Sequence, residues 1–493
     1  MNDIIHKHRK IALLITLIII VSVAITAYLI YYKNKVKLLD RSRFKELTEQ
    51  IDAFTGSEEC KDQESLRGYI TAWADENGIK YRVDNSGNII FNSKSAARKK
   101  SMSPSVVCVS YNYETAHNNA KLLASAAMIA ATELNSGRKT VIFVNDEKNS
   151  GEGYKGINKK YLSGKSKVIY MDYGESAYLS CSSFGRTISQ ISIPFKREKV
   201  SCDTGVRVHI SGINSAEISA DSSKHPDPVS VFSQLLTRLK SKSVTFQLAD
   251  FEIGSNGYMY PVSVDATFVL NSYSVSSFTK YIDKRIKEWE KSYSSSFPDL
   301  TFTYEIIDDD AQLPVDAYSS AATGKLTNVL YTLKSGNYSY EASDNIPEGM
   351  DEGDIYGMNR IIDLKPSGDT IIIDIMSQAS SDENMEKVTG DNKAAASLFK
   401  CNYDIVDNVA VFNNTRNSLS RTLRKTFYKI NDISGANSVL KENYDNYYTP
   451  CSVLASKGKS KDVVHLRLSE KKAAQLTNTV LCYIATKGNF FSL

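Results

Sequence analysis

The sequence predicts an α/β protein of two bodies behind one N-terminal transmembrane helix, and three observations carry that prediction. Apolar strands alternate with amphipathic helices up to about residue 200, the pattern of a layered α/β sheet. From Val206 onward the order becomes β-α-β-β-α-β, the ferredoxin-like split unit of an α+β domain. Ahead of both stands an uncharged run over 11–32.

That run is rich in Ile, Leu, Val and Ala, and at ~1.5 Å per residue it is long enough to cross a ~30 Å hydrocarbon core. Tyr28, Tyr31 and Tyr32 close it, where amphipathic rings favour the headgroup region. The rival reading is a cleaved signal peptide with Ser22-Val23-Ala24 as its small-residue site, but cleavage there would leave an apolar stub over 25–32. Residues 1–10 form a short basic N-terminus with Lys7, Arg9 and Lys10, and Lys33, Lys35, Lys37, Arg41 and Arg43 follow the span. A count of flanking positives favours an inside body, whereas large domains translocate largely regardless of charge. The Ser-, Tyr-, Asn- and Lys-rich body is similar in composition to exported proteins of Gram-positive bacteria. The expectation is a single-pass bacterial membrane protein with an extracytoplasmic body.

The chain of 493 residues is long enough for more than one substantial core. Its net charge of +4 is scattered, with no basic stripe interleaved with stacking aromatics, so no nucleic-acid partner is expected. The cysteines (Cys60, Cys108, Cys181, Cys202, Cys401, Cys451, Cys482) show no CxxC spacing and are odd in number, and no disulfide framework is predicted.

In chain order, 38–54 has helical spacing, and 64–78 is a second helix with Leu66, Tyr69, Ile70 and Trp73 on one face. Strands 79–83 and 89–91 flank the turn Asn85-Ser86-Gly87-Asn88. Then come strand 106–110, helix 119–134 and strand 140–144. After them lie the triplet Asn145-Asp146-Glu147 and the strand with its acid, Val168-Ile169-Tyr170-Met171-Asp172-Tyr173-Gly174. The α+β unit reads as strands 206–210, 244–253, 261–270 and 300–307 with helices 228–240 and 275–293. A further apolar strand spans 369–376, and strand 463–466 with helix 469–487 ends the chain.

This order resembles the aminoacyl-histidine (Xaa-His) dipeptidases, within the co-catalytic zinc aminoacylase/carboxypeptidase family. The resemblance covers roughly 41–493, through order and spacing rather than identity. It implies a two-domain zinc-peptidase-like fold. A catalytic-type α/β domain takes 38–200 and 410–493, and a ferredoxin-like lid or dimerisation-type domain, 201–409, is inserted between them.

The family's chemistry is harder to find. Its first strand ends in a His-x-Asp ligand pair, for which this chain has Tyr111-Asn112-Tyr113. Tyrosine, with an unperturbed pKa of about 10, is a poor zinc ligand near neutrality, so Tyr111 and Tyr113 read as aromatic fill of a vacated cleft. The family's Ala-Asp-Asn-Gly, whose Asp bridges the two metals, appears as Ala116-His117-Asn118-Asn119. A neutral imidazole holds one metal through one nitrogen, so His117 is either a remnant ligand or a surface histidine. Asn145-Asp146-Glu147-Lys148 matches Asp-Glu-Glu, making Asp146 and Glu147 a vestigial base and ligand, or else an acidic turn after a strand. Asp172 matches a terminal zinc carboxylate at the end of a strand, where open α/β sheets line their crevice, or else is an acid of the turn that follows. In the lid, Gly212-Ile213-Asn214-Ser215 stands where the family has its catalytic His, which Asn214 replaces, and Met376-Ser377 replaces Arg-Ser. The last histidine ligand falls in 437–450, which has none, while His465 beyond it reads as a strand residue.

The acidic clusters Asp308-Asp309-Asp310 and Asp351-Glu352-Gly353-Asp354 lack EF-hand spacing, and no Gly-x-Ser-x-Gly elbow, Walker loop or dinucleotide fingerprint is present. The resemblance therefore implies a membrane-anchored dipeptidase-like protein that has lost most of its zinc ligands. It would be a non-catalytic module for peptide binding or protein interaction, with no cofactor expected. The alternatives are a remodelled hydrolase holding one zinc with some of His117, Asp146, Glu147 and Asp172, and a structural component of a cell-envelope complex. The partners expected are the membrane through 11–32, a peptide or envelope protein, and a second copy through the lid.

Overall fold

The computed structural model describes residues 18–23 and 37–486, apart from 93–103, 135–137, 148–149, 217, 219–224, 310–311, 345, 347–349, 415, 432–439, 444 and 459–461. Most of the expected membrane span lies outside the described residues; 18–23 is helical, with Ile18, Ile19 and Ile20 exposed. Among the described residues no helix is long and apolar enough to cross a membrane.

The first body is built on an eight-stranded sheet. Its centre is four parallel strands in the order Lys139–Asn145, Ser105–Tyr111, Lys167–Tyr173 and Val463–Leu468. Helices cover both faces of such strands, so their sequences are continuously apolar: Val106, Val107, Cys108 and Val109 are all fully buried. Helices Ala120–Ala131, Ala473–Thr486 and Ser418–Asn431 pack on one face together with Arg41–Thr55 and Gln63–Glu76. The short helices Glu152–Gly156 and Cys451–Gly458 cover the other. Antiparallel strands Ile89–Asn92 and Tyr178–Ser180 flank the parallel core. Because the core strands run in parallel, their C-terminal ends open along one edge, where α/β sheets bind ligands.

Among the described residues the second body holds a four-stranded and a five-stranded antiparallel sheet, with a small two-stranded pair of Arg197–Lys199 and Asp316–Tyr318 beside them. Strands Phe246–Gly254, Ser263–Leu270, Thr204–Ser211 and Thr301–Ile307 lie in that order, which is the ferredoxin-like arrangement expected from the sequence. Val206, Val208 and Ile210 bury one face of this sheet under helices Pro228–Ser241 and Ser272–Tyr293. A five-stranded sheet follows, ordered Gly336–Ser339, Ile355–Ser367, Thr370–Ala379, Gly185–Pro194 and Asn402–Val409. Gly185–Pro194, which the sequence reading left in the first body, is thus the strand on which the second is hung. Its partners are at 370–379 and 402–409, pairings so distant in sequence that no local pattern could announce them. Arg186 at its start is 1% exposed, held between the rings of Tyr258 and Tyr448 and paired with Asp407 at 3.1 Å.

Candidate functional site

At the C-terminal ends of the parallel strands lies a cleft of about 220 Å³ whose lining includes Asn112, Asp146, Tyr170, Asp172, Tyr173 and Arg467. Strand register creates its charged floor. Arg467 is the ladder partner of Asp172, and His465, two residues earlier and on the same side, is the partner of Tyr170.

His465 is fully buried between two carboxylates. Its Nδ1 is 2.8 Å from Asp445 Oδ2. Its Nε2 lies 2.8 Å from Asp172 Oδ1, a close ion pair that falls off the hydrogen-bond line. Burial alone would lower the imidazole pKa; Asp172 and then Asp445 outweigh it and raise it to about 10, so the ring is imidazolium at neutrality. Tyr178 donates to the other oxygen of Asp445 at 2.9 Å, and the edge of its ring meets the imidazole. Arg467 donates from Nη1 to the phenolic oxygens of Tyr178 and Tyr447 at 3.2 and 3.1 Å, with Nε 3.6 Å from Asp172 Oδ1. Two cations and two carboxylates therefore neutralise one another below the cleft, which is what burial of charge requires.

The residues singled out from the sequence fall in different places. Asp146 and Asp172 do line the cleft. Asp146 is 5% exposed and accepts the Gly151 N–H at 2.9 Å, and burial pushes its carboxyl up to about 6. Glu147 is exposed, and its backbone carbonyl accepts from Asn112 Nδ2 at 3.0 Å. His117 stands away from the cleft, more than half exposed and 3.3 Å from Asp52. The reading of Tyr111 and Tyr113 as cleft filler is corrected. Tyr111 turns into the core and donates to Gly87 O at 2.7 Å, while Tyr113 packs against the first core and donates to Glu114 at 3.1 Å. Asn112, one residue on from Tyr111, takes the cleft position because side chains alternate along a strand. Asn214 is exposed in the second body, its backbone carbonyl accepting from His225 at 3.1 Å.

A zinc ion needs three or four His, Cys, Asp or Glu donors converging on one point. Among the described residues no group of three such side chains is so placed. Asp172 is engaged by His465, Asp146 by Gly151, and His117 lies elsewhere. The described residues do not fit the zinc that the resemblance implies.

Sequence reasoning missed His465, Arg467 and Asp445. A signal existed: an imidazole and a guanidinium at alternate positions of an apolar, centrally placed strand must find buried partners. Which carboxylates would supply them depends on pairing between strands far apart in the chain.

A scan against protein-family models finds no match, and no curated protein matches by sequence. Solved structures do match. Aminoacylhistidine dipeptidase from Vibrio alginolyticus superposes with a TM-score of 0.53 at 14% identity, over 91% of this chain and 97% of that one. A tripeptidase from Staphylococcus aureus gives a TM-score of 0.47 at 10% identity, over 92% and 99% of the two chains. Aminopeptidase PepT from Bacillus cereus gives 0.46 at 10% identity, over 91% and 100%. On its likeness to the dipeptidase this chain has a peptidase-like α/β fold.

Proposed function

We propose that this chain is a membrane-tethered binding module of peptidase-like fold whose cleft works without the paired zinc ions of the family it resembles. One observation carries the reading: the carboxylate of Asp172, the best candidate for a surviving ligand, is already neutralised by His465 and Arg467. A metal ion on this carboxylate would meet the repulsion of two cations already paired with its Oδ1. The run over 11–32 supplies the tether, and a peptide, an envelope protein or a second copy through the lid is the partner class.

The test is zinc stoichiometry of the detergent-solubilised full-length chain after exposure to excess zinc, with Asp172→Ala alongside. No zinc that depends on Asp172 is the expected result. About one zinc per chain, lost in the variant, would sink the reading and favour a remodelled hydrolase.

A second reading, a peptidase- or amidase-like hydrolase, is favoured by Asp146. A buried carboxyl raised to about 6 at the wall of a cleft is suited to proton transfer near neutrality. Turnover of dipeptides that disappears in Asp146→Asn would support it.

A further inference from the structure

We propose that the cleft takes an oxyanion of its ligand, a carboxylate or a phosphate, against the guanidinium of Arg467. This deepens the binding reading above and rests on it. Arg467 lines the cleft with a quarter of its side chain (25%) exposed. Its protein partners leave part of it unused. Nη1 is held by Tyr178 and Tyr447, and Asp172 Oδ1 at 3.6 Å from Nε is beyond hydrogen-bond length. Among the described residues Nη2 finds no hydrogen-bond partner. Nε is buried, so the unused Nη2 is the group left for a ligand at the cleft wall, and a guanidinium N–H there suits an oxygen of a carboxylate or a phosphate.

The surroundings favour an anion over a cation. Asp172, the acid nearest Arg467, already has two cationic partners, and Asp146 gives an oxygen to a backbone N–H. Across the cleft stands the start of helix Ala120–Ala131, with Asn118, Asn119 and Leu122 in the lining. Its N-cap residue, Asn119, makes no side-chain capping bond, so the partial positive charge of that helix end adds to Arg467. Gly174 leaves the room the guanidinium occupies, since a Cβ there would collide with Nε, Cζ and Nη2.

The experiment titrates the full-length chain in detergent, after chelation and dialysis, with inorganic phosphate and separately with acetate, by calorimetry. Zinc content is measured on the same sample. Saturable binding of at least one anion is expected, with phosphate alone or acetate alone naming the chemistry. Arg467→Gln should weaken it at least tenfold and Arg467→Lys should restore part of it. Asn119→Asp leaves the packing of Arg467 untouched and puts a negative charge on the facing wall, so it should weaken binding severalfold. Unchanged affinity in folded Arg467→Gln and in Asn119→Asp, or no binding of either anion by zinc-free protein at millimolar concentration, overturns the proposal. Zinc retained through Asp172 overturns the binding reading instead, so the two failures are distinguishable.

Discussion

His465 Nε2 stands 2.8 Å from Asp172 Oδ1, and the other nitrogen of the same ring stands 2.8 Å from Asp445 Oδ2. One imidazolium thus ties together two adjacent parallel strands and the segment after Lys441–Asn443. Asp172 sits where the resemblance puts a metal ligand, and here its counter-charge comes from the protein itself.

The first prediction concerns pH. The His465 pKa is raised in the folded state, from an ordinary 6.5 to about 10. Its contribution to stability is therefore fully present below about pH 6.5 and is lost as pH rises through about 10. Wild-type melting temperature should fall across that window, by up to about 1.4 kcal/mol of stability per pH unit. His465→Gln, which cannot titrate, should lose most of this slope, and an equally steep variant would refute the assignment.

Removing one partner from a buried charge cluster leaves the others uncompensated. Asp445→Ala exposes both His465 and the Tyr178 hydroxyl to that loss, with the Asp445 side chain fully buried. A cost of about 3–5 kcal/mol is expected by urea unfolding. The double variant Asp445→Asn with His465→Gln should cost less than the sum of its parts, because they share one interaction.

Gly174→Ala tests the seat of Arg467. The added methyl would meet the guanidinium, which has little room to move while Tyr178 and Tyr447 hold it. A loss of about 1–3 kcal/mol is expected, typical of overpacking. Combined with Arg467→Met the penalty should shrink, and an undiminished penalty would point to backbone strain instead.

Arg186→Met tests how the two bodies are joined. Arg186 donates to Ser150 O in the first body, pairs with Asp407 in the five-stranded sheet, and is stacked between Tyr258 and Tyr448. Loss of this buried cation should cost about 3–5 kcal/mol. If the variant unfolds at the wild-type midpoint, Lys155, 2.7 Å from Asp407, carries the junction without it.

Much of the architecture was legible before folding. Apolar runs such as 106–109 and 141–144 mark strands covered on both faces, and the spacing of Leu66, Tyr69, Ile70 and Trp73 marks a helix face; the strand residues, Leu66 and Ile70 are buried, and Tyr69 and Trp73 pack half-buried against the same core. The four strands and two helices between 204 and 307 could be ordered from alternation and amphipathicity, which are local properties of the chain. The C-terminal end of the strand carrying Asp172 was likewise legible as the wall of a crevice.

The site was legible only in part. Among the residues that the resemblance singled out, Asp146 and Asp172 line the cleft, yet strand alternation turns Tyr111 inward and His117 lies out beside Asp52. His465 looked like a strand residue because it is one. Its role comes from register, which sets Arg467 against Asp172 across 295 positions between strands Lys167–Tyr173 and Val463–Leu468. By itself the sequence determined which segments would be strands and helices, because periodicity of burial is written along the chain. Only the tertiary structure decided which charges meet, because a buried charge is stable only beside its counter-charge, and that partner lies on another strand.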